Sequence, residues 1–196
     1  MSARVVPTVV GLGRRTAGDD GVGPAVVGLG RRTAGDDGVG PAVVGLGRRT
    51  AGDDGVGPAV VEALRGRAPG GVELLELGEP SGLIALLATR SPMVIVDAVV
   101  CDGWEPGRVV ELAAEGLPPG ARSLSTHGVG LALALALARL LIEPDRLARP
   151  IAIVGVAIAA PTAAAPSLHL SPAIAAAVPR AAACVLAWLH ARVRGV

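Results

Sequence analysis

The chain has 196 residues, 51% of them hydrophobic and 18% charged, which is enough apolar material for one folded domain and too much for a disordered chain. Eighteen Lys and Arg against 17 Asp and Glu leave a formal net charge of +1, so there is no basic field to gather a phosphate backbone. Tyr and Phe are absent, and Trp104 and Trp188 are the only aromatics. That removes the stacking platforms of single-strand binders, excludes nucleic acid as a partner class and leaves the core to aliphatic residues.

Cys101 and Cys184 are too few for a disulfide framework and are expected to be free thiols in a reducing compartment. The opening Met-Ser-Ala-Arg-Val-Val-Pro lacks the long apolar stretch and small-residue cleavage site of a signal peptide, so a cytoplasmic location is expected. The longest apolar runs are cut by Arg139, by Pro161 and Pro166, and by Pro179 and Arg180. Each is expected to fall short of the roughly 20 residues of a spanning helix, and no membrane partner is expected.

In chain order the first feature is a repeat: VVGLGRRTAGDDGVGPA occurs three times without a gap, at 9–25, 26–42 and 43–59. A solenoid unit of about 20 to 50 residues carries a whole supersecondary element, whereas this one carries only a short strand, a glycine-rich loop and a helix start. The pattern reads as a tandem duplication, with 1–42 as extra copies and a working domain at 43–196. Only the third copy leads directly into the helix GPAVVEALRGRA. A competing register takes its strand from the first copy, RVVPTVVGLG, and loops out 34 residues. Loop closure grows only slowly with length, so that register stays open.

From residue 42 short β-branched runs alternate with helical ones: AVVGLG, GPAVVEALRGR, VELLEL, SGLIALLAT, MVIVDAVV, RVVEL, GVGLALALALARLL, IAIVGVAIA and a C-terminal helix. Alternation of this kind predicts a single-domain α/β three-layer sandwich, with a mostly parallel twisted sheet of about five strands and helices on both faces. MVIV at 93–96 and IAIVGVA at 151–157 are apolar on both faces and should lie mid-sheet. Leu-Ala alternation at 130–141 has the period of a strand, but its length and alanine content favour a helix. Gly-Leu-Pro-Pro-Gly at 116–120 reads as a surface turn and Pro161 to Pro166 as a loop.

Ligands of open α/β sheets bind beyond the carboxyl ends of the strands. Three polar groups are expected there: Asp53 and Asp54 after the first strand, Asp97 ending MVIV, and His127 in the loop before the helix near Gly128. A carboxylate closing a buried apolar strand needs a compensating proton, hydrogen bond or cation, although a cap or turn role would also account for Asp97. For the acidic pair the plain reading is helix capping and the helix dipole. For His127 it is a hydrogen-bonded loop histidine. Taken together, two carboxylates and an imidazole from separate strand ends form a mixed oxygen and nitrogen set suited to a divalent ion such as nickel or zinc, with a coordination position open to substrate.

Other chemistry lacks its residues. The glycine loop has Thr50 where a dinucleotide fingerprint requires its third glycine, and no Lys-Ser or Lys-Thr pair for a phosphate loop. No Gly-x-Ser-x-Gly elbow occurs, and neither cysteine has an evident histidine partner. His169 and His190 are expected to be surface or loop residues.

The motifs Gly-Leu-Gly to Gly-Asp-Asp-Gly-Val-Gly at 45–57, Val-Ile-Val-Asp-Ala at 94–98, Ser-Thr-His-Gly-Val-Gly-Leu at 125–131 and Leu-Ser-Pro at 170–172 resemble those of the hydrogenase maturation endopeptidases. That family removes a C-terminal extension from the large subunit of nickel-iron hydrogenases, and the similarity covers most of residues 43–190. It implies that Asp54, Asp97 and His127 occupy three metal-ligand positions, which are also the catalytic site. It further implies a hydrogenase large-subunit precursor as partner, and recognition of nickel already inserted in it or of another divalent metal at the same site. The cutting step stays open between a metal-polarised carbonyl, a metal-activated water and a carboxylate base. Two positions depart from the pattern. Arg48 replaces an asparagine after the second glycine, which bears on peptide orientation. Glu76 replaces an aspartate at the end of the second strand, which bears on substrate choice or on cleavage itself. Whether Arg48 and Glu76 pair is open. A non-catalytic metal-binding or precursor-binding protein of the same fold is the alternative reading.

Overall fold

The structure, a computed structural model, describes residues 40–88, 91–114, 122–123, 130–160 and 167–193. His127, the 116–120 turn, the Pro161 to Pro166 loop and the first two complete repeat copies, apart from the last three residues of the second, lie outside the described residues.

Residues 40–44 and 57–61 are the same pentapeptide, Gly-Pro-Ala-Val-Val, used in two conformations. The first leads into strand β1 (Ala42–Leu46), and the second builds helix α1 (Val56–Leu64). The residues on the C-terminal side decide between them. Gly45 and Gly47 come after Val44, and each glycine costs a helix about 1 kcal/mol relative to alanine. Glu62, Ala63 and Leu64 come after Val61, and all three favour a helix. Leu64 is fully buried, and truncating such a leucine costs about 2–5 kcal/mol. Moving the helix one copy earlier would put Gly47 in its place. In the structure β1, the glycine loop and α1 follow one another without a break over residues 42–64.

The remaining elements are β2 (Glu73–Leu77), α2 (Leu83–Leu87), β3 (Met93–Val100), β4 (Val109–Ala113), the two-residue β5 (Arg122–Ser123), α3 (Leu131–Leu141), β6 (Ile151–Ala157) and α4 (Pro172–Val193). The sheet runs β2-β1-β3-β6-β4, with β5 paired to the end of β3. β1 is parallel to β2 and β3, and β3 to β6; β4 runs antiparallel to β6 at one edge. As the sequence predicts, the two all-apolar strands lie inside the sheet, and the Leu-Ala run is a helix.

Alternation along the strands divides the core in two. Val43, Val94, Val96 and Val154 face α1 and α4, while Val44, Met93, Ile95 and Ile153 face α2 and α3. Trp188 is the one aromatic in this otherwise aliphatic core. Both cysteines are free and partly exposed.

One expectation is corrected. α4 runs through Pro179 for 22 residues, so the apolar run expected to be cut there continues past it. Pro179 and Ala175 are both exposed, so the carbonyl that loses its partner at the proline can face water. The segment Pro172–Ala191 is thus long and apolar enough to cross a membrane by length and composition. Instead, Ile174, Ala177, Ala181, Val185 and Leu189 are packed into the core shared with α1 and the sheet.

Candidate active site

The chain leaves β1 toward β2 on one side, and the later strands lie on the other, so the strand order reverses between β1 and β3. In such sheets this is where a cleft opens above the carboxyl ends. Asp97 is placed there, though not at the end of its strand as the sequence suggests. The β1 ladder stops at Gly45 opposite Val96, whereas β3 continues along β6 as far as Val99. Asp97 is thus the first β3 residue past its pairing with β1, on the face that carries Met93 and Ile95. It is 3% exposed, and among the described residues only Ser91 is another buried polar side chain. Its carboxylate is not without a partner, and no buried polar side-chain atom among the described residues lacks one.

Asp54 lies on the glycine loop that follows β1. Gly47 turns the chain with a φ of 114° and donates its N–H to Leu77 O at 2.9 Å. A 3-10 turn (Gly52–Gly55) then carries both aspartates into α1. Neither this turn nor α1 has a side-chain cap, so the capping reading of the pair does not hold. Asp54 Oδ2 instead accepts the Arg48 N–H at 3.0 Å, with Arg48 Nε at 3.5 Å, which closes the loop on itself. Oδ1 of this mostly buried carboxylate has no hydrogen bond to a described residue. Asp53 Oδ1 accepts the Ser171 N–H at 2.6 Å.

Two glycines allow this loop to close onto the strands. A Cβ on Gly57 would collide with Leu46 O, lie 2.6 Å from Leu46 N and 2.8 Å from Val96 O, all of them backbone atoms. A Cβ on Gly45 would collide with Gly57 O. The start of α1 therefore rests on the end of β1 and the middle of β3, and the 3-10 turn bearing Asp54 contacts β3 itself. Asp54 is three residues before Gly57, and Asp97 is one residue after Val96.

His127 lies outside the described residues, and among those residues no three His, Cys, Asp or Glu side chains gather around a common point. Four residues after His127, Leu131 begins α3 and is buried with Ile95 and Met93 on the face that carries Asp97. A pair of carboxylates with one imidazole is, by its chemistry, a donor set that suits a borderline divalent ion.

Sequence reasoning missed Arg49. Its Nε and Nη2 grip Glu76 at 2.8 and 2.7 Å, Nη2 also reaches Glu62 at 3.1 Å, and Arg65 bonds Glu62 at 3.0 Å and Glu76 at 3.4 Å. The open question of a Glu76 partner is answered by Arg49 and Arg65. The hydrogen bond to Glu76 holds the Arg49 guanidinium above its ordinary range, and Arg65 followed by Arg49 holds the Glu62 carboxyl below its own. Arg49 is 50% exposed, so its contact is worth about 0.2–1 kcal/mol, as for other surface pairs. A hollow of about 870 Å³ at the other end of the sheet is lined by Glu111, Leu112, Arg139, Arg149, Ile151 and Trp188. It lies at the amino end of β6, the wrong end for the chemistry of this sheet class.

The fold defines a small α/β protein with a mostly parallel sheet whose strand order reverses between β1 and β3. The sequence profile described as hydrogenase maturation protease matches residues 58–188, more than half of the chain. The chain belongs to the hydrogenase maturation protease family, whose members are peptidases. An Escherichia coli endopeptidase of known structure is 30% identical with a TM-score of 0.62, over 75% of this chain and 90% of that one. The hydrogenase maturating endopeptidase HybD of E. coli is 27% identical with a TM-score of 0.59, covering 76% and 91%. A [NiFe] hydrogenase maturation protease HybD from Thermococcus kodakarensis shares the fold at 24% identity and a TM-score of 0.58, covering 74% and 95%. No curated protein sequence matches the chain.

Proposed function

We propose that the protein is a cytoplasmic endopeptidase that removes the C-terminal extension of a nickel-loaded [NiFe] hydrogenase large-subunit precursor, and that Asp54, Asp97 and His127 read the nickel the precursor carries. The observation that supports this reading is the close approach of Gly57 to Leu46 and Val96, which brings the start of α1, and with it the turn bearing Asp54, against the part of β3 that precedes Asp97. The oxygen of Asp54 with no partner among the described residues supports it.

In this mechanism Asp54 and Asp97 supply oxygens and His127 a nitrogen to the metal of the substrate, which fixes the peptide bond beside it. The metal supplies Lewis acidity for attack by water. Arg48 holds Asp54 through Oδ2 so that Oδ1 points where it is needed. Burial of Asp97 lowers the dielectric around it and would strengthen its attraction for a cation.

His127→Ala should stop processing and weaken nickel binding while the melting temperature stays close to that of the parent. Mass spectrometry of the precursor together with a thermal melt checks this, and normal processing would remove His127 from the site. We assign the working unit to residues 43–196, with 1–42 as extra copies. Deleting residues 9–42 leaves Pro7-Thr8 in place of Pro41-Ala42 before Val43. That variant should melt within a few degrees of the parent and still process precursor. Loss of folding would instead assign the first copies a structural part.

A further inference from the structure

Asp53 adjoins Asp54, yet its carboxylate serves a distant segment. Oδ1 accepts the Ser171 N–H at 2.6 Å across 118 residues of sequence, a short charge-assisted bond. Beside it, Gly52 adopts a φ of 59°, and a Cβ there would lie 3.1 Å from Ser167 O and 3.8 Å from His169 O. Residues 167–171 are themselves wound into a turn: Ser167 Oγ accepts the His169 N–H at 3.1 Å and donates to His169 O at 2.8 Å. Ser171 O then accepts the Ala175 N–H at 2.8 Å in the first turn of α4. The turn is built, and it is fastened to the loop that carries Asp54. Its outer side chains are free of the core: Leu168 is 65% exposed, and His169 is exposed.

We infer that Asp53 is a positioning residue: through Ser171 it fixes the 167–171 turn as one wall of the strand-end cleft, and that wall presents Leu168 and His169 to the precursor. The inference rests on the function proposed above. A neutral acceptor should replace Asp53, because what the turn needs is an oxygen facing the Ser171 N–H. A ligand or proton donor at this position would need the carboxyl group itself.

The experiment compares Asp53→Asn and Asp53→Ala with the parent by amide hydrogen exchange of residues 167–173, and by KM and kcat for nickel-loaded precursor. Asp53→Ala should speed exchange at Ser171 by about tenfold or more, the worth of one charge-assisted hydrogen bond. It should raise KM several-fold with a smaller change in kcat, and Asp53→Asn should restore both readouts. Should Asp53→Ala fail to fold, Ser171→Pro removes the donated N–H instead and must raise KM in the same way. Unchanged exchange in Asp53→Ala overturns the inference. So does an Asp53→Asn variant with parental exchange and no cleavage. A parent protein that cuts no precursor overturns the function on which the inference rests, while the exchange result still judges the latch separately.

Discussion

Asp97→Asn is expected to lower precursor processing by at least about 100-fold, beyond the loss typical of a residue that only supports a metal ligand. Asparagine has nearly the volume of aspartate, so at a site only 3% exposed the packing around β3 survives. What is lost is a carboxylate oxygen able to bind a cation, and in low dielectric such an attraction is far less screened than in water. The processing rate and the melting temperature, measured on the same preparation, separate these effects. A variant that melts normally and cuts at the parental rate would leave Asp97 as a structural aspartate, the role that its position inside a strand also permits.

The second large effect is on folding. Gly57→Val should cost about 3 kcal/mol or more, since the new side chain meets only backbone at Leu46 and Val96, which cannot move without breaking the strand ladder. In a domain of this size that is about 6–12 °C in Tm. Gly70→Ala is the control, because a Cβ there meets nothing within 4 Å. Processing should fall with stability in Gly57→Val, as the same contact sets the distance between the Asp54 turn and β3. A Gly57→Val variant as stable as the parent would show that helix and strand can separate without loss, and the cleft would have no fixed geometry.

How far the sequence could be read depended on the range of the interaction. Mid-sheet placement of 93–100 and 151–157 followed from strands apolar on both faces, and the helical reading of 131–141 from its length and alanine content. Pro179 misled because a proline signals a break locally, whereas the burial of Ile174 and Ala177 on one side and Val185 and Leu189 on the other holds α4 continuous. The pentapeptide shared by β1 and α1 shows the same limit from the other direction, since its conformation is decided by the residues after it. At the site, the glycine loop and Asp97 were visible as motifs because each is a short run with its own chemistry. Arg49 was not, since its partners Glu62 and Glu76 lie 13 and 27 residues away on different elements. The link from Asp53 to Ser171 joins two motifs that were both visible, but only the fold brings them together.

On the proposed function, the protein cuts a precursor because that precursor carries nickel. Purified protein should be incubated with the hydrogenase large-subunit precursor in nickel-loaded and nickel-free forms and followed by intact-mass spectrometry. The predicted result is loss of the C-terminal extension from the loaded form alone. A stable complex with no mass change, or equal cleavage of both forms, would contradict it.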